Sequence, residues 1–87
     1  MPEKQQTVTI QQALELAVQH HTAGRLSEAE TIYQQLLHSD PNQPVALNLL
    51  GVIAHQTEKN ELAVDLIIKA LTNRPDYAEA HYNLALR

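Results

Sequence analysis

An internal repeat of 34 residues is the feature that most constrains how this 87-residue chain folds. Pro41 and Pro75 lie 34 positions apart in similar settings, SDPNQP and NRPDYA. Shifting the sequence by this interval superposes two sets of mainly apolar residues, each with the i, i+3, i+4, i+7, i+8 spacing of one helical face. The superposed pairs are Ala29 and Ala63, Ile32 and Leu66, Tyr33 and Ile67, Leu36 and Ala70, and Leu37 and Leu71. The interval therefore predicts a repeated helical unit whose apolar face is buried by stacking against its neighbours.

Capping and turn signals divide the chain into four full helices and the start of a fifth. The first two predicted helices begin at capping boxes: one runs from Thr9–Gln12 to Thr22, and the other from Ser27–Glu30 to His38. The third runs from Pro44 to Gln56, and the fourth runs from Asn60, as its cap, to Asn73. The fifth begins at Asp76 and Glu79 and continues to Arg87. Because the loops between them are short, consecutive helices are expected to pack antiparallel. We expect a flexible segment at 1–8 and one domain at 9–87, with unit one at 10–43, unit two at 44–77 and the start of a third at 78–87.

Composition excludes several classes of function. The formal net charge is −4, and basic residues form no cluster, so we expect neither nucleic acid nor a membrane as a partner. No apolar run approaches the roughly 20 residues of a membrane span. The sequence has no cysteine, which fits a reducing compartment, and we expect a cytoplasmic protein.

Histidines are the strongest candidates for chemistry. His21 and His55 lie one repeat apart and should share a helical face, but zinc normally takes three or four ligands. No glycine-rich phosphate loop and no nucleophile–base set is present. We therefore predict no metal, no cofactor and no catalytic residue. A histidine pair that tunes surface charge near neutral pH is the alternative to surface histidines without a function.

The repeat resembles the tetratricopeptide repeat, a 34-residue helix–turn–helix unit with the pattern W-x2-L-G-x2-Y, A-x3-F and P. Unit two supplies LNLLGVIA (47–54), AVDLI (63–67), Ala70 and Pro75. Unit one supplies ALELAVQH (13–20), AETIY (29–33) and Pro41, and HYNLA (81–85) begins a third unit. The resemblance implies an all-α fold of antiparallel helical hairpins stacked as a right-handed α-solenoid. Its structural repeat positions would be Leu16, Ala17, Ala29, Tyr33, Pro41, Leu50, Gly51, Ala63, Ile67, Ala70 and Pro75.

Gly51 is interpreted as a packing residue. It shares a repeat position with Ala17 and Ala85, where small side chains let paired helices approach. We expect Gly51→Leu to unfold the domain and Gly51→Ala to be tolerated or slightly stabilising. Glu58 departs from the family pattern, since it stands in the inter-helix turn where glycine is common and where unit one has Gly24.

The resemblance also implies a concave groove formed by the first helix of each hairpin, which binds a protein or peptide partner. The groove residues would be Gln11, Leu14, Glu15, Val18, His21, Val45, Asn48, Leu49, Val52, His55, Glu79, Tyr82 and Asn83. This set contains no Lys or Arg, so recognition of a terminal carboxylate is disfavoured, because a carboxylate needs charge-assisted donors.

Two other functions stay open. AEAHYNLA (78–85), with Asn83, looks like a repeat unit from the arrays that recruit substrates for glycosyltransferases, and similar arrays precede sulfotransferase and methyltransferase domains. Alternatively, the fifth helix lacks a partner helix, and we expect this to leave some apolar side chains among Leu84, Leu86, Leu71 and Ile68 partly uncovered. We expect the chain to be part of a longer array, with a homodimer through the uncapped C-terminal end as the alternative.

Overall fold

The computed structural model describes residues 9–86, and these residues form five α-helices and no strand. The helices are α1 (Ile10–Thr22), α2 (Leu26–Ser39), α3 (Pro44–Gln56), α4 (Asn60–Asn73) and α5 (Ala78–Ala85). The predicted all-α fold is confirmed. The segment expected to be flexible, 1–8, lies outside the described residues.

Two helix starts follow the sequence signals directly. At α1, the Gln12 backbone N–H donates to Thr9 Oγ1 at 3.1 Å, and the Thr9 backbone N–H donates to Gln12 Oε1 at 3.0 Å. This reciprocal pair is the predicted capping box. At α3, Pro44 occupies the first turn, and the Gln43 side chain accepts from the Val45 backbone N–H at 2.7 Å. Proline is suited to this position because its missing N–H would have no intrahelical partner.

The other three predicted caps are wrong. α2 begins at Leu26 with Arg25 as its N-cap, so Ser27 lies inside the first turn, where its carbonyl accepts from the Thr31 hydroxyl at 3.0 Å. Asn60 is likewise the first residue of α4 rather than its cap. At α5 the cap is Tyr77, with no side-chain cap hydrogen bond from Asp76 or any other residue of the described chain.

The turns inside the two hairpins explain why α2 and α4 begin at other residues than the predicted caps indicate. After α1 the Arg25 backbone N–H donates to His20 O at 2.8 Å, and after α3 the Lys59 backbone N–H donates to Ala54 O at 2.7 Å. Each bond closes a Schellman-type turn, which requires a left-handed residue just before the donor. That residue is Gly24, at φ 83°, in the first hairpin and Glu58, at φ 66°, in the second. The turn therefore fixes where the next helix begins.

Packing joins α1 to α2 and α3 to α4 as hairpins, with α2 against α3 and α4 against α5. One core cluster lies among α1, α2 and α3 and includes Ala17, Tyr33 and Leu50. A second lies among α3, α4 and α5 and includes Leu47 and Ile67. α3 contributes to both clusters and is the most enclosed helix of the described chain.

Most structural repeat positions are buried as predicted, including Ala29, Ala63 and Ala70, each with no exposed surface. Leu16 is the exception among the positions within helices, because it is 46% exposed whereas Leu50 at the same repeat position is 8% exposed. Leu50 packs in the cluster between α1, α2 and α3, and α1 has no preceding hairpin among the described residues. Pro41 and Pro75 lie in exposed turns after α2 and α4.

Gly51 lies at the closest approach of α3 and α4. A Cβ at this position would be 2.8 Å from Ile67 Cγ1 and 3.2 Å from the Ala63 carbonyl oxygen. Close packing is therefore the reason for glycine here. These distances argue against the expectation that Gly51→Ala is tolerated or stabilising, because even one methyl group would displace Ile67 or α4.

Candidate functional site

α1, α3 and α5, called the inner helices below, lie side by side and are joined by two polar pairs. His21 Nε2 lies 2.7 Å from Gln56 Oε1, which joins α1 to α3. Asn83 Nδ2 donates to Asn48 Oδ1 at 3.1 Å, which joins α3 to α5. Both pairs connect residues 35 positions apart. The inner helices are thus held in register by one side-chain contact at each junction.

A depression of about 470 Å³ lies between α1 and the start of α3. Its lining residues are Gln11, Leu14, Glu15, Val18, Gln19 and Val45. Five of these six are predicted groove residues. Gln19 was missed, although its position one helical turn after Glu15 places both on the same side of α1. Leu14, Val18 and Val45 make the lining apolar, and the Gln11 amide donates to Glu15 Oε2 at 3.2 Å.

Asn48 is not a groove surface residue, which corrects the prediction. It has no exposed surface, and the Asn83 amide covers its Oδ1 from α5. Asn48 of α3 shares a repeat position with Leu14 of α1. Asn48 is buried by the next inner helix along the chain, which is α5. Its Nδ2 is buried without a hydrogen-bond partner. Asn83 is half-buried. Both asparagines therefore join α3 to α5 and do not form part of an open binding surface.

The remaining predicted groove residues occupy separate environments. Leu49 and Val52 of α3 are half-buried, whereas Glu79 and Tyr82 of α5 are exposed, Tyr82 by 67%. His55 Nδ1 lies 3.1 Å from Asn60 Oδ1, within its own hairpin. His21 thus contacts Gln56 on the neighbouring inner helix, whereas His55 contacts Asn60 of its own hairpin.

Tyr33 and Tyr77 are buried, and Tyr77 interacts with the Asn48 side chain. Burial, with a smaller contribution from Tyr77, raises the pKa of Tyr33 to about 12. The Tyr33 hydroxyl is enclosed without a hydrogen-bond partner. Burial also raises the pKa of Tyr77, against the opposing effect of the Asn48 side chain. Neither tyrosine borders the depression, so both are part of the core.

A metal centre and a membrane span have no counterpart in residues 9–86. These residues contain no group of three or more His, Asp or Glu side chains arranged to hold a metal ion. None of the described helices is long and apolar enough to cross a membrane. The remaining depressions lie along the start of α4 and between α1 and α2.

The geometry defines a class of protein made of antiparallel helical hairpins that stack through small residues, with first helices side by side. The Tetratricopeptide repeat family model matches residues 14–77, about three quarters of the chain. The chain therefore belongs to the tetratricopeptide repeat family. Such repeats generally mediate protein–protein interactions and are scaffolds rather than catalysts. No curated protein matches this chain by sequence.

Proposed function

We propose that the inner helices bind a peptide segment of a protein partner, with the depression between α1 and α3 as the anchoring site. The observation that carries this proposal is the depression itself, which joins an apolar lining to side-chain amides. Binding sites commonly combine an apolar surface with a few polar groups that fix orientation. Recruitment of a substrate for a larger transferase would be one form of this function. The cysteine-free sequence suits a reducing compartment, and a cytoplasmic location stays a prediction.

Val18 provides the sharpest test. Its side chain is 40% exposed and borders the depression, whereas Leu62 on α4 is 46% exposed and lies away from it. Covering the exposed part of one aliphatic side chain contributes about 1 kcal/mol, or about fivefold in affinity. Peptides selected from a random library on the wild-type protein should therefore bind Val18→Gln about fivefold more weakly and Leu62→Gln unchanged. Equal binding by all three proteins would rule out this site.

Self-association is the second candidate, favoured by the uncovered side of α5. Ala85 shares the repeat position of Gly51 but is exposed, because no described helix packs on α5 as α4 packs on α3. Nearby, Leu86 is 59% exposed and Ile68 is 47% exposed. Sedimentation velocity should then show a dimer that Leu86→Gln weakens and that Leu16→Gln, at the opposite end, leaves intact. A monomer at every concentration would exclude this function.

A further inference from the structure

We infer that the inner helices select a peptide in which a Lys or Arg side chain neighbours an apolar side chain. This inference rests on the proposed binding function and specifies the chemistry of its partner. It depends on how charge is distributed between the inner helices and the rest of the described chain, and on where one carboxylate lies relative to the apolar lining.

Lys and Arg are absent from the inner helices of the described chain, whereas carboxylates lie on inner helices and on α2 and α4 alike. Within residues 9–86 the inner helices carry two carboxylates, Glu15 and Glu79, and no Lys or Arg. The four basic side chains of that region all lie at the ends of α2 and α4 or along α4, namely Arg25, Lys59, Lys69 and Arg74. A cationic segment approaching the inner helices therefore meets two carboxylates and no Lys or Arg on those helices. Such complementarity sets specificity and the rate of association more than affinity.

Glu15 places one of these carboxylates beside the apolar lining. It borders the same depression as Leu14, Val18 and Val45. The Gln11 amide donates to Glu15 Oε2 at 3.2 Å, which orients the carboxylate. A carboxylate has about four acceptor sites, so this single bond leaves capacity for a cationic donor. An apolar side chain seated in the depression would bring its neighbouring Lys or Arg within reach of Glu15, with the Gln11 and Gln19 amides near the peptide backbone.

Glu79 provides a second carboxylate on the inner helices that a basic side chain of the peptide could reach. Glu15 lies on α1 and Glu79 on α5, two inter-helix steps apart. Neighbouring packed helices lie about 8–10 Å apart, so two steps span roughly 16–20 Å. An extended peptide rises about 3.3 Å per residue. A second basic side chain five or six residues along the peptide would therefore reach Glu79. The experiment targets Glu15, because it borders the depression and Glu79 does not.

The test uses degenerate ten-residue peptide pools with one position fixed as Leu and the preceding position fixed as Lys, Gln or Glu. Fluorescence anisotropy at low ionic strength measures binding to wild-type protein, Glu15→Gln and Glu28→Gln. Glu28→Gln is the control, because it makes the same change in net charge as Glu15→Gln. Glu28 is exposed on α2 and is not part of an inner helix. An exposed ion pair contributes about 0.2–1 kcal/mol, which corresponds to a preference of about 1.5- to 5-fold for the Lys pool over the Gln pool.

The expected result is that Glu15→Gln abolishes the preference for Lys and that Glu28→Gln retains it. Equal binding of the three pools to wild type, with binding still weakened by Val18→Gln, would overturn the inferred selectivity and leave the binding site intact. A preference for Lys that survives in Glu15→Gln would also overturn it. Pools that bind neither wild type nor any variant would overturn the selectivity and the proposed function together. Circular dichroism on each variant establishes that it is folded.

Discussion

Gly51→Ala should destabilise the domain, although alanine is normally the better helix residue. The new Cβ would lie 2.8 Å from Ile67 Cγ1, 3.4 Å from Ile67 Cδ1 and 3.2 Å from the Ala63 carbonyl oxygen. Cγ1 sits one bond from the Ile67 Cβ, and a β-branched side chain in a helix has essentially one χ1 rotamer. Ile67 therefore has little freedom to move aside, and α4 would have to shift. In unit one the same positions hold Ala17 and the unbranched Tyr33, both fully buried.

Two opposing terms set the magnitude. Replacing glycine with alanine in a helix interior contributes about 1 kcal/mol of stability. Overpacking a buried contact by one methyl group costs about 1–3 kcal/mol. The net expectation is a loss of about 0–2 kcal/mol in the free energy of unfolding. Ile67→Leu removes the branch at Cβ, a volume-conserving change that usually costs less than about 1.5 kcal/mol. In that background Gly51→Ala should stabilise the domain, by up to about 1 kcal/mol from helix propensity.

Urea denaturation followed by far-ultraviolet circular dichroism on the four proteins of this cycle gives the coupling free energy between residues 51 and 67. We expect about 1–3 kcal/mol of coupling, with denaturant slopes that agree among the four proteins. If Gly51→Ala stabilises the wild type as much as it stabilises Ile67→Leu, close packing is not the reason for glycine at this position. Gly51→Leu adds three further carbon atoms in the same place and should leave the domain unfolded.

Three other predictions concern the hairpin turn, the buried tyrosine and the inter-helix asparagines. Glu58→Gly should raise the free energy of unfolding by about 1 kcal/mol, because glycine adopts the left-handed turn without steric cost, and the reverse change, Gly24→Glu, should lower it by a similar amount; equal urea midpoints would contradict this. Tyr33→Phe removes a hydroxyl without a partner and should be neutral or stabilising by up to about 1 kcal/mol. Since the pKa of Tyr33 is raised from 10.0 to about 12, wild-type stability should be constant below pH 10 and fall between pH 10 and about 12, whereas the variant should lose less over that interval in pH-dependent urea titrations. Asn83→Ala should lower the free energy of unfolding by about 1–3 kcal/mol, because Asn48 Oδ1 would stay buried without its donor; an unchanged thermal midpoint would show that the pair contributes nothing.

The helical hairpins and most of the core were predictable because they depend on local periodicity. Tyr33 and Ile67 occupy one repeat position and are both fully buried, as the 34-residue interval predicts. The start of α2 was not predictable from Ser27, because its capping signal competes with a turn that closes two residues earlier, at Arg25. In that turn the Arg25 backbone N–H donates to His20 O. The Ser27–Glu30 capping pattern contains neither residue and so cannot predict this bond.

Exposure was harder to predict than periodicity, since it depends on neighbours rather than on the residue itself. Leu16 and Leu50 share a repeat position, but only Leu50 has a preceding hairpin to pack against. Asn48 reads as a polar surface residue until α5 is in place above it. The candidate site was predicted better, because five residues of the depression lie on the exposed stripe of α1 and α3. Its sixth residue, Gln19, was also predictable, since it follows Glu15 by one helical turn on the same side of α1.

Because α1 and α3 are enclosed to different extents, ligand binding should change amide hydrogen exchange in the two helices by different amounts. α3 buries residues against both neighbouring helices, whereas Ala17 is the sole buried residue of α1. In stacked repeats, the free energy of local opening falls from the centre toward the ends. Amide hydrogens of α1 should therefore exchange with solvent faster than those of α3. A ligand seated between α1 and α3 would slow amide exchange mainly in α1, which is the less enclosed of the two helices.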